Sequence, residues 1–249
     1  MPAPPIFLSM KQFIRRITPY SICLFLGILY WLTLAPGLTW AFDGADGGDL
    51  VTAAVTGGVP HPSGYPTYLL LASLFLKLPF GSLAYRTNLL SCVCTVAAAL
   101  VIYKIVRSVD HSTFSAAIAA LAFGTFPLVW SQAILTEVNA LNALFAALIL
   151  YFFITGVSNP RMDWMGGIIM GLGLGNHLTL LFMLPLMFFD KAHEEILLFN
   201  RWFDKGSLRS YFKRIARRLV GLLLGLSVYL VIPLRARTQA PVNWGNAVN

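Results

Sequence analysis

Residues 164–189, WMGGIIMGLGLGNHLTLLFMLPLMFF, carry no formal charge. The run is longer than the roughly 20 apolar residues a helix needs to cross a bilayer. Midway it is interrupted by Gly173-Leu174-Gly175-Asn176-His177, so it is either one long helix or two short ones meeting at a polar apex. Backbone that leaves the helix at membrane depth is tolerated only where protein or a water-filled cavity surrounds it. The stretch predicts a helical membrane protein with something polar built around that apex.

The rest of the chain agrees. Of 249 residues, 57% are hydrophobic and 11% charged, against about 25% charged in an ordinary globular chain. Mean hydropathy is +0.73. So few charges cannot cover a soluble surface, and so apolar a chain cannot stay disordered. Further uncharged runs cover 17–42, 87–103, 112–136, 138–160 and 219–234. The expected fold is all-α: one polytopic membrane domain over 1–249 with about seven transmembrane helices. Its outer loop spans about 36–86 and its basic inner loop about 190–218. Run 17–42 is too long for a cleavable h-region and reads as an uncleaved first helix. Segment 67–80, cut short by Pro66, is too short to span and reads as an interfacial helix.

The net charge of +8 does not point to nucleic acid, because the basic residues cluster in short loops between apolar runs, where they set orientation. If 67–80 is interfacial and 164–189 a re-entering pair, only Lys77, Arg86, Arg235 and Arg237 fall outside. Two ordinary crossings change the balance little, yet only the first arrangement puts Glu137 and Asn176-His177 on the side of the aspartates. Cys23, Cys92 and Cys94 lie inside apolar runs, without C-x-x-C spacing, and imply no disulfide framework.

Ionisable groups mark where chemistry could sit. Phe42-Asp43-Gly44-Ala45-Asp46-Gly47-Gly48-Asp49-Leu50 places three carboxylates beside a hydrophobic helix end. Asp46 and Asp49 are spaced as an N-cap and an N3 acid of a short helix ending at Gly57-Gly58. The same pair also suits a general base beside a second acid. An intramembrane aspartyl protease would need G-x-G-D, and Asp46 occupies the first glycine's place. His61 is held between Pro60 and Pro62, either as a polar turn or as an imidazole shown to substrate. Glu137 is the only formal charge between Asp110 and Arg161; it serves as a first-turn acid or faces a cavity. Arg86 and Arg235, the latter followed by Arg237, sit at helix ends, where snorkelling competes with bidentate grip on a lipid phosphate. His61, His177, Glu137 and the aspartates lack a zinc-type spacing such as H-E-x-x-H. His111 and His193 read as solvated, and the basic residues of 191–218 as topology signals that touch anionic lipid.

Asp46-Gly47-Gly48-Asp49-Leu50 followed by His61-Pro62-Ser63-Gly64-Tyr65-Pro66 resembles the D-x-G-[ED]…HP-x-G-x-P signature of the domain of unknown function 2723. That family comprises GT-C superfamily membrane glycosyltransferases related to protein O-mannosyltransferases. Glu137-Val138-Asn139-Ala140-Leu141-Asn142, Gly173-Leu174-Gly175-Asn176-His177-Leu178-Thr179 and Val242-Asn243-Trp244-Gly245 resemble it too. Asp49 stands where many members have Glu, and members continue past the last segment, so a truncated or half site is the expectation. The resemblance implies a GT-C bundle, a polyprenyl-phosphate sugar donor and inverting transfer to an acceptor hydroxyl of a protein or glycan. The active site would face outward, across a bacterial inner membrane. Asp46 would act as base with Asp49 and Glu137 beside it, and His61, Asn176, His177, Arg86 and Arg235 would bind substrate. Neither a metal nor another cofactor is implied. The competing reading is a transporter or flippase, because interrupted helices also line transport sites.

Overall fold

The computed structural model describes residues 10–154, 159–188 and 205–244. Lys191, His193 and the rest of 189–204, together with Gly245, lie outside the described residues. Helix α1 is Met10–Thr33, and a 3-10 turn, Ala41–Asp43, precedes α2, Gly47–Thr56. Then come α3 (Pro66–Phe75), α4 (Leu83–Asp110), α5 (Thr113–Thr125), α6 (Pro127–Ala133), α7 (Asn139–Ile154) and α8 (Pro160–Leu174). A 3-10 segment, Leu178–Phe188, leads to α9 (Lys205–Leu226), which continues through the 3-10 turn Ser227–Leu230 into α10 (Val231–Ala236). The described residues contain no strand, only an isolated parallel bridge between Val59 and Asn243.

Among the described residues, three helical stretches are long and apolar enough to cross a membrane: Gln12–Thr33, Leu83–Asp110 and Leu208–Ala236. Their large apolar side chains stand exposed, among them Leu24, Trp31 and Leu32 on α1 and Leu223 and Leu224 on α9. Apolar surface on this scale marks a face covered by lipid or by another protein, and with helices of spanning length it points to lipid. A fourth crossing counts if α5 and α6 are one span, bent by 65° where Pro127 enters at the first position of α6. Among the described residues these three or four stand short of the seven expected, because proline, glycine and polar breaks divide the uncharged runs. Run 138–160 gives α7 of 16 residues, about 24 Å at 1.5 Å per residue. The 67–80 segment yields α3 of 10 residues, too short to span, as expected.

Helix α4 is the shared wall. One side packs with α1, α5 and α6 around Leu26, Tyr30, Val96, Ala99 and Ala120. The other packs with α2, α3 and α7 around Leu50, Tyr68, Leu90 and Leu141, a cluster that α8 joins through Met170 by way of α7. Serines accept the first free amides of two helices, Ser82 from Tyr85 N–H and Ser112 from Ser115 N–H, as N-caps do.

Over its described residues, 164–188, the broken run turns back on itself. Asp163, at the start of α8, accepts from Arg218 Nε at 3.0 Å, and Arg218 Nη1 donates to the carbonyl of Met187 at 2.7 Å. One guanidinium thus joins the first turn of α8 to the end of the 3-10 segment, leaving Asn176-His177 at the far apex. Arg214 and Arg217 also face the buried Asp163 carboxylate, at 3.3 and 3.6 Å. These arginines belong to helix α9 rather than to a loop. A carboxylate taken out of water is stable only with such partners, so Asp163 gathers them into the protein.

Helices α8 and α9 touch backbone to backbone. Gly167 and Gly171 on α8 oppose Gly221 and Gly225 on α9. A methyl group on Gly171 would collide with the carbonyl of Leu222, and one on Gly225 with that of Ile168. Paired small-xxx-small faces let membrane helices approach closely without a hydrophobic driving force. Gly171→Leu should therefore lower the thermal midpoint of the purified protein by the equivalent of about 1–3 kcal/mol or more. Gly27→Ala, where a methyl meets nothing within 4 Å, should leave it unchanged or slightly higher. Equal midpoints for Gly171→Leu and the parent would show that this contact does not hold the helices together.

Candidate active site

The site is built where α2 begins. Asp46 is the N-cap residue of α2, but its side chain makes no capping bond, so the carboxylate is left to other partners. Asp49 lies in the first turn, where the helix dipole favours a negative charge. Gly57, in the left-handed region at φ 73°, ends α2 as its sequence position predicts. The chain then passes through Val59 and Pro60 to His61.

Asp49 Oδ2 accepts from the His61 main-chain N–H at 2.9 Å and lies 2.7 Å from His61 Nδ1. A carboxylate only accepts, so the imidazole carries its proton on Nδ1. In the tautomer with the proton on Nδ1 alone, Nε2 is an acceptor for the Tyr65 hydroxyl 2.9 Å away. Burial, followed by the charges of Asp46, Glu137 and Asp49, raises the Tyr65 pKa, which keeps this hydroxyl protonated. Asp46 Oδ2 lies 3.5 Å from the same Nε2, and its side chain is 45% exposed. Asp46 is the open carboxylate of the cluster.

Glu137 closes the site from the segment between α6 and α7. It is 4% exposed, and its Oε1 accepts the Asp46 main-chain N–H at 3.3 Å. Burial first, then the negative charge of Asp46, raise its pKa to about 7, against the smaller opposing pull of the Asp46 and Val138 amides and of His61. The neighbouring Thr136 bonds Thr87 Oγ1 at 2.5 Å and Asn88 Oδ1 at 2.6 Å. Asn88 in turn donates to the carbonyls of Ala35 and Gly37. The first turns of α4 thereby clamp both chain segments that carry acids.

The apex of the broken pair meets the same place. Fully buried Asn176 donates to the Val138 carbonyl at 3.2 Å, and its Oδ1 is buried without a partner. Thr67, next to Pro66, donates from its backbone to Gly175 and from its hydroxyl to Leu172. His177 stacks on Tyr65, with ring centroids 6.2 Å apart and planes at 25°. Its Nδ1 accepts from the Thr179 N–H, leaving Nε2 on the other side of the ring. Asp46, Asp49, His61, Glu137, Asn176 and His177 are thus brought together from four separated places in the sequence.

The two expected arginines are placed differently. Arg86 donates to the carbonyls of Leu76 and Phe80 and so ties down the turn after α3. Arg235 reaches from α10 to the carbonyls of Ala53 and Gly58 and to Ser73. Both guanidinium groups brace the walls of the first loop. Sequence reasoning missed Tyr65 as a site residue; its signal was a hydroxyl four residues after His61, between Gly64 and Pro66. It also gave no role to Val242-Asn243-Trp244. Val59 N–H donates to Val242, and Trp244 N–H to Val59, which pins the backbone two residues before His61. Among the described residues, no three of His, Cys, Asp and Glu are placed to hold a metal ion.

Chemically, the cluster offers an open carboxylate, an imidazole oriented by a second carboxylate, and a buried acid that changes protonation near neutral pH. The folded-state pKa of Glu137 lies above its ordinary value of 4.5. Its stabilising neutral form is therefore fully present below pH 4.5, and the contribution is lost as pH rises through 7. Over that window the parent should lose on the order of 3 kcal/mol relative to Glu137→Gln, seen as converging thermal midpoints at low pH and diverging ones above 7. Parallel curves would mean that Glu137 ionises at its ordinary pH.

The model of the protein O-mannosyl-transferase TMEM260 N-terminal domain family matches residues 46–194. A Mus musculus protein named protein O-mannosyl-transferase TMEM260 is 42% identical over 132 residues, covering 52% of this chain and 18% of that protein. A Dictyostelium discoideum protein of the same name is 25% identical over 240 residues, covering 88% of this chain and 28% of the relative. The chain spans less than a third of either relative, and both are eukaryotic, so they lend no support to the expectation of a bacterial inner membrane. No solved structure matches.

Proposed function

Because the chain belongs to the family of the protein O-mannosyl-transferase TMEM260 N-terminal domain, we propose that it carries the catalytic end of a membrane glycosyltransferase. The reaction is transfer of a mannose-like hexose from a polyprenyl-phosphate donor to an acceptor hydroxyl, with inversion, in a GT-C type bundle. The acceptor is a protein, as the relatives' names imply for them. The observation that carries this reading is the open Asp46 carboxylate beside the Asp49–His61–Tyr65 chain of hydrogen bonds.

In this mechanism Asp46 takes the proton of the acceptor hydroxyl as that oxygen bonds to the anomeric carbon. The bond from that carbon to the phosphate oxygen breaks, and its electron pair leaves with the lipid phosphate. Attack from the face opposite the phosphate inverts the centre. Asp49 fixes the tautomer and aim of His61, the role a carboxylate plays toward a working imidazole. His61 and Tyr65 then hold hydroxyls of the acceptor or sugar, and the stacked Tyr65 and His177 rings give a sugar a flat wall. Glu137 holds the Asp46 backbone rather than substrate, and Asn176 carries a carbonyl oxygen in need of a donor. Arg86 and Arg235 shape the loop, since their donors are turned onto backbone carbonyls. The broken pair serves this site by planting its apex on Val138 and Tyr65, which leaves the transporter reading without an observation of its own.

Purified protein supplied with a panel of polyprenyl-phosphate sugars and a hydroxyl acceptor tests the reading. Asp46→Asn keeps shape and loses the proton acceptor, so transfer should fall by at least about 100-fold with donor binding largely retained. Asp49→Asn should lower turnover less and change its pH profile, because His61 loses its fixed tautomer. Near-parent turnover in Asp46→Asn would remove Asp46 as the base.

The outward placement of the site has its own test. Cysteines introduced at the exposed Ala45 and Thr179, which flank Asp46 and the Asn176 apex, in a background lacking Cys23, Cys92 and Cys94, should react with an impermeant thiol reagent added from outside. Labelling only after the membrane is opened would put the site on the other face.

A further inference from the structure

At the end of α4 remote from Asp46, a cavity of about 470 Å³ is lined by Arg15, Tyr103, Lys104, Arg107, His111 and Tyr151, with a neighbouring serine. Arg15 comes from the first turns of α1, Lys104 and Arg107 from the last turns of α4, and Tyr151 from the last turn of α7. Along α4, Asn88 in the Asp46 clamp and Lys104 are separated by roughly 24 Å at 1.5 Å per residue. That distance approaches the thickness of a bilayer's hydrocarbon core, about 30 Å.

Three cations share this cavity, and among the described residues no carboxylate lines it. Arg107 donates to the carbonyl of His111, which closes the helix end. Among the described residues, Arg15 and Lys104 have no ion-pair or hydrogen-bond partner. Like charges brought together repel, and an anion between them removes that repulsion. A second, independent feature points the same way. Tyr103 is 5% exposed, and its hydroxyl is buried without any partner. An orphaned buried hydroxyl is costly and rare in native structures, and an acceptor oxygen in the cavity would satisfy it.

We propose that this pocket binds a phosphate group, that of an anionic phospholipid headgroup at the membrane face opposite the Asp46 site. The chemistry fits in each part: guanidinium groups grip phosphate oxygens through paired N–H donors, an ammonium adds a point charge, and a phenol donates once more. Lys and Arg at this level are also where an anionic leaflet attracts them. The site is separate from the transfer chemistry and stands whether or not that reading holds.

Purified full chain in a neutral detergent is titrated with dioleoyl phosphatidylglycerol, with dioleoyl phosphatidylcholine, and with inorganic phosphate, and the thermal midpoint is followed. Phosphatidylglycerol should raise the midpoint and phosphatidylcholine should not. In the Arg15→Gln/Lys104→Gln variant the apparent affinity for phosphatidylglycerol should fall about tenfold or more, since two charge-assisted contacts are lost. The untreated midpoint should hold or rise, because repulsion is relieved. Tyr103→Phe supplies the second variant. It should raise the untreated midpoint, having no orphaned hydroxyl, and shrink the lipid-induced shift. Lys77→Gln, in the turn after α3, is the control and should behave as the parent. Protection by inorganic phosphate equal to that by phosphatidylglycerol supports the phosphate site and assigns it a soluble source. Equal lipid-induced shifts in the parent and in both variants, or no shift in the parent, would overturn the site.

Discussion

One carboxylate oxygen, Oδ2 of Asp49, is approached by both the main chain and the ring of His61. Most of the first loop depends on this pair of bonds. The segment 57–66 has two glycines of positive φ, Gly57 and Gly64, two prolines around the histidine and a left-handed Tyr65, so helix or strand ladders cannot satisfy its polar groups. Side chains and distant backbone must do so. Asp49 holds the middle, Val242 and Trp244 hold Val59 on one side, and Gly175 holds Thr67 on the other. A histidine so restrained has one tautomer and one direction, which makes it usable beside an open carboxylate.

The energetics are divided between two ends of the bundle. At the Asp46 end, the acids are held by backbone amides and by His61 rather than by guanidinium groups. At the Asp163 end, a buried carboxylate faces three guanidinium groups, one of which also lies 5.1 Å over the Phe153 ring. Such a cluster gives little net stability over an apolar replacement, yet losing one member costs about 3–5 kcal/mol. It therefore specifies how α8, the returning 3-10 segment and α9 are assembled, while the glycine faces set how closely they approach. The position of the Asn176 apex, and with it one wall of the site, follows from this distant arrangement.

The family match ends at residue 194, but the site does not. Arg235, Val242 and Trp244 brace the loop that carries His61 from beyond the matched region. A fragment limited to the match would keep Asp46, Asp49, His61 and Glu137 and lose the backbone pairing that holds Val59.

Composition and uncharged runs were enough to establish an all-helical membrane protein, because apolar surface of that extent has nowhere else to go. The break at Gly173–His177, the short α3 and the glycine end of α2 were legible as well, since proline, glycine and segment length act locally. The acids and histidines could be named one by one, but spacing left their roles open: Asp46 sits at the N-cap position and forms no capping bond, a choice made by Glu137 and His61 reaching it from elsewhere. The number of spans was not legible, because a 65° bend at Pro127 and the return of the 164–189 run depend on what packs against them. Nor were the partners of Arg214, Arg217 and Arg218, which read as topology signals until Asp163 is seen among them. Local chemistry determined the elements and the candidate groups. Which groups meet was decided only by tertiary packing, because hydrogen bonds and ion pairs act over a few ångströms between residues up to nearly two hundred positions apart, as from Val59 to Val242.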